Sequence, residues 1–156
     1  MNIGIIVYSQ TGNTYSVATR LQRELLKKGY KVIIERIEVE GNEQPRKNPF
    51  KLKNIPKIDK YDLVIFGSLV EAFSLSPVMK TYLNQLPVTD NKKISCFVTQ
   101  FFPYPWMGGN KAIKQMKKIC NDRKLEVIET AVINWSNKKR LLMIEEAINK
   151  IINSIK

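Results

Sequence analysis

The chain alternates short apolar runs with longer stretches in which apolar residues recur at helical spacing. The first run is apolar nearly throughout, as expected for a central parallel strand that is covered on both faces. The second run ends in charged residues, which indicates a place at or near an edge of the sheet. The five predicted strands cover residues 2–8, 31–37, 61–67, 93–99 and 125–135.

Four amphipathic stretches predict helices. The first covers residues 13–28, and Gly29 then suits the C′ position. Another begins at Ser76-Pro77, an N-cap serine with an N1 proline. A third follows a Gly-Gly pair, and the last covers residues 138–154. This alternation predicts an α/β fold with a parallel sheet and helices on both faces, in a single domain of 156 residues.

Residues 38–60 fit neither a strand nor a helix pattern. Prolines at three positions, with lysines between them, discourage a long helix. These residues are Pro45, Pro49 and Pro56, with Lys47, Lys51 and Lys53. We therefore expect an irregular connection between the second and third strands.

Six small polar residues separate the first strand from the first helix. They supply hydroxyls, amides and a glycine that can adopt positive φ. Unpaired N–H groups at the helix start point at the same place, where the helix dipole favours an anion. This first loop therefore predicts a phosphate-binding site, and an ordinary capped turn is the alternative. Its residues are Ser9, Gln10, Thr11, Gly12, Asn13 and Thr14.

Two further loops follow the third and fourth strands, and in a doubly wound sheet they meet the first loop at the carboxyl ends of the strands. They carry apolar and aromatic side chains that can stack on a flat ring. Packing against the end of the sheet is the alternative for each loop. The second loop contains Ser68, Leu69, Val70, Glu71, Ala72 and Phe73. The third loop contains Thr99, Gln100, Phe101, Phe102, Tyr104, Trp106, Gly108 and Gly109.

The motif Ser-x-Thr-Gly-Asn-Thr after an N-terminal strand resembles the FMN-phosphate loop of the flavodoxin family. The segment from Gly67 to Phe73, followed by Ser76-Pro77, resembles the second flavin loop of short flavodoxin-like reductases and flavodoxin-domain proteins. The resemblance implies a flavodoxin-like, doubly wound sheet of five parallel strands in the order 2-1-3-4-5, with FMN as cofactor. It further implies that the first loop binds the phosphate and the other two bind the ring.

Charge and the second loop distinguish the chain from the electron-transfer flavodoxins. Those proteins are typically acidic, whereas this chain has 26 Lys and Arg against 14 Asp and Glu, a net charge of +12. Their second loop commonly has a glycine that lets a peptide turn toward the flavin. Here no glycine lies between Gly67 and Gly108.

Composition excludes several other classes of protein. The absence of histidine, with only Cys96 and Cys120, argues against a zinc site, and the two cysteines fit buried thiols in a reducing cytoplasm. No apolar run approaches the ~20 residues of a membrane span, and a strand directly after Met1 does not match a signal peptide. The basic residues are scattered without a nucleic-acid-binding motif, so we expect no nucleic-acid partner.

The sequence leaves three functions open. The first two are FMN-dependent redox functions: an electron carrier, or an oxidoreductase that accepts hydride from NAD(P)H and reduces a small acceptor. For both, the basic charge predicts an acidic redox protein or NAD(P)H as the partner. The alternative is a flavodoxin-like interaction domain that no longer binds flavin. We assign no catalytic acid or base, and Glu71 is left without a catalytic role.

Overall fold

The computed structural model describes residues 1–41 and 50–155, which contain eight strands and four α-helices. The strands are β1 (Asn2–Val7), β2 (Lys31–Arg36), β3 (Glu38–Val39), β4 (Leu52–Asn54), β5 (Leu63–Glu71), β6 (Ser74–Leu75), β7 (Lys92–Gln100) and β8 (Leu125–Asn134). The helices are α1 (Asn13–Lys27), α2 (Pro77–Asn84), α3 (Gly109–Asp122) and α4 (Arg140–Ser154), with a 3-10 turn at Pro105–Met107. Every predicted strand and helix therefore has a counterpart in the structure.

The five long strands form a parallel sheet in the order β2-β1-β5-β7-β8. This confirms the predicted order 2-1-3-4-5, because β5, β7 and β8 are the third, fourth and fifth predicted strands. The strand with the charged end, β2, lies at an edge. The order reverses between β1 and β5, so the carboxyl ends of these two strands form the switch point where doubly wound sheets bind ligands.

Successive strand residues point to opposite faces and build two apolar cores. On one face, α2 and α3 cover residues such as Phe66 and Cys96. On the other, α1 and α4 cover residues such as Ile65 and Phe97. Packing is closest at Gly67, where a Cβ would lie 2.3 Å from Cζ of Phe97. No helix among the described residues is long and apolar enough to cross a membrane.

The ends of α1 and α2 follow the predicted capping. Gly29 has φ +90° directly after the C-cap Lys28, as a C′ glycine should. The Ser76 hydroxyl accepts a hydrogen bond from the Val78 N–H at 3.3 Å, and Pro77 is the first residue of α2. The Ser76 cap fixes where α2 begins at the carboxyl edge of the sheet, and Gly29 fixes where α1 ends at the amino edge.

The connection between β2 and β5 contains a small antiparallel ladder rather than a helix in the part that the structure describes. Glu38 pairs with Asn54, and Val39 pairs with Leu52. Beyond it, the carbonyl of Pro56 accepts a hydrogen bond from the Tyr82 hydroxyl at 2.6 Å. The predicted irregularity at Pro45, Lys47 and Pro49 lies outside the described residues.

Candidate functional site

The first loop forms an open turn at the start of α1. Gly12 is the N-cap residue with φ +93°, and a Cβ there would meet no atom within 4 Å. The Ser9 hydroxyl accepts a hydrogen bond from the Gly12 N–H at 3.1 Å. The cap makes no side-chain hydrogen bond to the helix, and the first turn has no acidic residue. Thr11 is exposed beside it, so hydroxyl and N–H donors surround a space suited to an anion.

Thr14 joins the first loop to the third. Its hydroxyl lies 2.7 Å from that of Thr99, and both side chains are buried. Thr14 is thus directed toward the end of β7. A hydroxyl can donate one hydrogen bond and accept two, so this pair keeps further capacity toward a ligand. The bond holds the helix start against the neighbouring strand end.

The second loop is shorter than the sequence predicts, because β5 continues through Leu69 and Val70 to Glu71. The strand then turns back and pairs with β6 through Val70–Leu75 and Glu71–Ser74. Only Ala72 and Phe73 form the turn, with φ of +49° and +62°. Two-residue hairpin turns of this kind normally carry Asn or Gly at the positive-φ positions. An Ala-Phe turn has no such residue, which is why the sequence prediction ended the strand too early.

Three contacts hold this strained turn in place. Gly108 packs against its backbone so closely that a Cβ on Gly108 would lie 2.8 Å from Cα of Phe73. The side-chain oxygen of Gln115, in α3, accepts hydrogen bonds from the Leu75 N–H at 2.8 Å and the Ser74 hydroxyl at 3.0 Å. The Phe73 ring stacks on Phe102, with centroids 5.1 Å apart and planes 8° apart. The second and third loops therefore contact each other directly.

Side chains at the ends of β7 and β8, or just after them, fix the backbone of the third loop. The Asn134 amide donates to the Phe102 carbonyl at 3.0 Å, and the Asn137 amide donates to the Pro103 carbonyl at 2.9 Å. The Gln100 amide donates to the Tyr104 carbonyl at 2.7 Å. Sequence reasoning missed the two asparagines. Asn134 could have been predicted as a site residue, because it follows an apolar strand run directly. The same signal identified Thr99 and Gln100.

The aromatic residues of the third loop face outward. Phe101 is 71% exposed and Trp106 is 73% exposed, so neither belongs to the core. Tyr104 stacks on Trp106 with centroids 6.0 Å apart and planes 6° apart. Packing under α3 is therefore not the role of Trp106. Gly109 lies where a Cβ would meet Val132 at 2.5 Å, which lets α3 begin close to β8.

A carboxylate and a phenol are buried at the switch point. The Glu71 carboxylate accepts a hydrogen bond from the Ser76 hydroxyl at 3.0 Å. Tyr8, another residue missed from the sequence, donates its N–H to the Gly67 carbonyl at 3.0 Å. Burial raises the pKa of Tyr8 above its ordinary value, and the charge of Glu71 raises it further, while the hydrogen bond from Gln10 lowers it. Tyr8 thus stays a neutral phenol at physiological pH.

Comparison with known structures identifies this arrangement of strands. A flavodoxin from Pseudomonas aeruginosa is similar over 99% of this chain and 99% of its own, with a TM-score of 0.70 and 11% identity. Flavodoxin 2 from Bacillus cereus is similar over 99% and 100%, with a TM-score of 0.68 and 15% identity. The fold is flavodoxin-like. No protein-family model and no curated protein matches the sequence.

One flavodoxin-like neighbour was crystallised with its ligand. It is a flavoprotein from Lactobacillus acidophilus NCFM in complex with FMN, which covers 94% of this chain and 97% of its own, with a TM-score of 0.63 and 20% identity. Its likeness to this chain is one of fold. In the flavodoxin-like sheet described here, the three predicted loops all lie at the carboxyl ends of β1, β5 and β7, where they contact one another.

Proposed function

We propose that the protein binds FMN at these three loops and uses it in a redox reaction. The proposal is carried by one observation: at the switch point of a flavodoxin-like sheet, an uncapped helix start lies beside two loops with outward-facing aromatic rings. The FMN complex of the Lactobacillus acidophilus flavoprotein supports the choice of cofactor. Bound FMN would supply the electron transfer, while the chain binds and orients it.

The first loop fits the phosphate of FMN. In this proposal Ser9 and Thr11 donate hydroxyl hydrogen bonds, and the N–H groups after Gly12 point at the phosphate. Thr14 supports them through its bond to Thr99. Gln10 and Asn13 complete the loop and offer side-chain amides.

The second and third loops fit the ring. Two buried amide oxygens, Oε1 of Gln100 and Oδ1 of Asn134, lack a hydrogen-bond partner within the described part of the chain. Both lie at strand ends beside the aromatic residues, and a ring N–H is the kind of donor that such oxygens accept. The exposed rings of Tyr104 and Trp106 supply stacking surface. Leu69 and Val70 pack partly against the core and support the inner end of the loops.

The stack between Phe73 and Phe102 favours a second candidate function. With these rings 5.1 Å apart, a flavin can lie between them only if they separate by about one further stacking distance, ~3.5 Å. If the stack does not open and no outer surface binds the ring, the protein is a flavodoxin-like interaction domain that has lost flavin. Binding measurements decide between the two functions.

Either redox function suits a reducing compartment, and we propose the cytoplasm. Cys96 and Cys120 are both buried and unpaired as thiols. A hydrogen bond to Cys120, together with burial, raises the pKa of Cys96. Because both thiols are buried, neither is accessible to act as a nucleophile. The donor in this proposal is NAD(P)H or a redox protein that docks over the site.

The decisive experiment removes the two hydroxyls of the first loop and compares FMN with riboflavin. Ser9→Ala with Thr11→Ala should weaken FMN binding by roughly 100- to 10,000-fold, since hydrogen bonds to a charged group contribute about 1.5–3 kcal/mol each and every ~1.4 kcal/mol changes affinity tenfold. Riboflavin, which has no phosphate, should bind with unchanged affinity. Quenching of flavin fluorescence measures both.

A matched control changes the same residue types outside the loop. Ser16→Ala with Thr19→Ala removes hydroxyls that bond only to the α1 backbone, and FMN affinity should stay within about twofold. Equal weakening of FMN and riboflavin by the loop variant would contradict the phosphate assignment. Failure of the unaltered protein to bind either flavin would leave the interaction domain as the function.

A further inference from the structure

Apart from the buried Glu71, carboxylates are missing from the part of the carboxyl edge that surrounds the aromatic residues. The sequence has no Asp or Glu in residues 72–89, 91–121 or 130–144. These windows contain the turn of the second loop, the whole third loop, the first turns of α3 and the loop that leads into α4. One sign of charge therefore dominates this edge, whereas exposed acidic residues such as Glu38 and Glu40 lie beyond β2.

Three exposed lysines, Lys111, Lys138 and Lys139, are here called the rim lysines. Lys111 is in the first turn of α3, directly after the third loop. Lys138 and Lys139 follow the β8 end, and the Ser136 N–H donates to the Phe101 carbonyl at 3.0 Å. Contacts along the backbone thus tie the lysines to the aromatic loop. The ion pairs formed among the described residues, such as Lys60–Glu35 and Lys150–Glu129, lie elsewhere.

The outward-facing rings of Phe101, Tyr104 and Trp106 are here called the aromatic platform. Exposed apolar patches bordered by polar residues mark binding surfaces, and Tyr, Trp and Phe are enriched in protein interfaces. The hydrogen bonds from Asn134 and Asn137 hold the platform's backbone in place, which lowers the entropic cost of docking. The platform is therefore organised before a partner arrives.

The number of cations favours a protein over other anionic partners. Lipid recognition by basic clusters typically uses four to eight Lys or Arg residues, and double-stranded DNA binders commonly neutralise about six to ten phosphates. Among the described residues that flank the aromatic loop, three are rim lysines, and Arg140 is already engaged with Trp135 through a 2.8 Å hydrogen bond and a cation–π contact. Three cations around an aromatic centre match the polar rim and apolar core of a protein–protein interface.

We propose that the aromatic platform and the rim lysines form the docking surface for an acidic protein partner. The platform lies over the candidate flavin site, so we infer that this partner exchanges electrons with the flavin. That part of the proposal rests on the redox function proposed above. Acidic side chains of the partner pair with Lys111, Lys138 and Lys139, while an apolar patch covers Trp106 and Phe101. The attraction speeds association and selects against basic partners.

Charge reversal of the rim tests the proposal, with a small acidic iron–sulfur ferredoxin and an acidic cytochrome b5 as probes. The variant Lys111→Glu, Lys138→Glu, Lys139→Glu should weaken binding by about tenfold or more at low salt, because attractive charge pairs become repulsive. The control variant Lys31→Glu, Lys93→Glu, Lys118→Glu changes the net charge equally at exposed positions elsewhere. It should weaken binding by less than about threefold. Trp106→Ala should weaken binding without changing its salt dependence.

Each measurement is made on the full chain with and without added FMN, which separates the two proposals. Binding by the flavin-free protein supports the docking surface even if FMN binding fails, and failure of docking leaves FMN binding untouched. Equal weakening by both charge variants overturns the proposal in favour of net charge alone. The proposal is also overturned if neither protein probe binds at low salt. It is likewise overturned if the rim lysines support binding to phosphatidylserine vesicles or single-stranded DNA but to neither protein. Circular dichroism confirms that the variants are folded.

Discussion

At the scale of single residues, Tyr82 shows how burial couples to ionisation. Its hydroxyl donates to the Pro56 carbonyl at 2.6 Å, and its ring packs edge-on against Phe66 at 6.2 Å. Burial, and then the charges of Glu35 and Tyr61, raise the pKa of Tyr82 well above its ordinary value of 10.0. The folded protein therefore resists losing this proton, whereas the unfolded chain loses it near the ordinary value.

The resulting stability is fully present below the unfolded pKa and is lost as pH rises from it toward the folded pKa. We expect the free energy of unfolding to fall above about pH 10, and to fall less steeply in Tyr82→Phe. At pH 7 the variant should be destabilised by about 1 kcal/mol, since a buried carbonyl loses its partner. Urea denaturation across pH measures both effects. Tyr104→Phe, at an exposed position, is the control, and identical pH profiles for Tyr82→Phe and the unaltered protein would contradict the prediction.

At the scale of elements, the β5–β6 hairpin stores backbone strain beside the candidate site. Each non-glycine residue in the left-handed region costs roughly 1–2 kcal/mol, and both turn residues, Ala72 and Phe73, lie there. Gly108, Gln115 and the Phe102 ring hold the turn in that conformation. Strain kept in place by surrounding contacts is common where a segment rearranges on binding.

Ala72→Gly should therefore stabilise the protein by about 0.5–1 kcal/mol, since relief of the strain exceeds the entropic cost of glycine. Ala147→Gly, in the interior of α4, should instead destabilise it by about 1 kcal/mol. Thermal or urea unfolding gives both signs directly. A loss of stability in Ala72→Gly comparable to that in Ala147→Gly would show that the turn is not strained.

Structural elements that are determined by neighbouring residues could be predicted from the sequence. Elements that depend on contacts between distant residues could not. The buried runs in β1 and β5, and the Ser76-Pro77 helix start, carry their structure in neighbouring residues. The Ala-Phe turn lacks the residues that mark a hairpin, and long-range contacts with Gly108, Gln115 and Phe102 account for it. Likewise, the loops of the candidate site could be placed by the order of the strands, but the Thr14–Thr99 bond and the Phe73–Phe102 stack depend on side-chain positions that no motif records.

At the scale of the whole molecule, a net charge of +12 opposes folding through mutual repulsion. Many of the cations lie on exposed surfaces, and the ion pairs that involve Lys27, Lys53, Lys60 and Lys150 are largely exposed on the lysine side. Exposed pairs of this kind contribute little each. Salt screens repulsion over about 10 Å at 0.1 M, so the stability of this protein should respond to ionic strength.

We expect the free energy of unfolding to rise by on the order of 1 kcal/mol between about 10 and 200 mM sodium chloride, because repulsion is screened. Inorganic phosphate at equal ionic strength should stabilise further, since an anion that binds only the folded state adds RT ln(1 + [L]/Kd). Ser9→Ala with Thr11→Ala should abolish the additional stabilisation by phosphate, whereas the stabilisation by chloride should remain. The difference between the two proteins isolates the first loop, because general salt effects act on both. A stability that is flat or falling in chloride would contradict the repulsion, and an unchanged phosphate excess in the variant would place the anion away from the first loop.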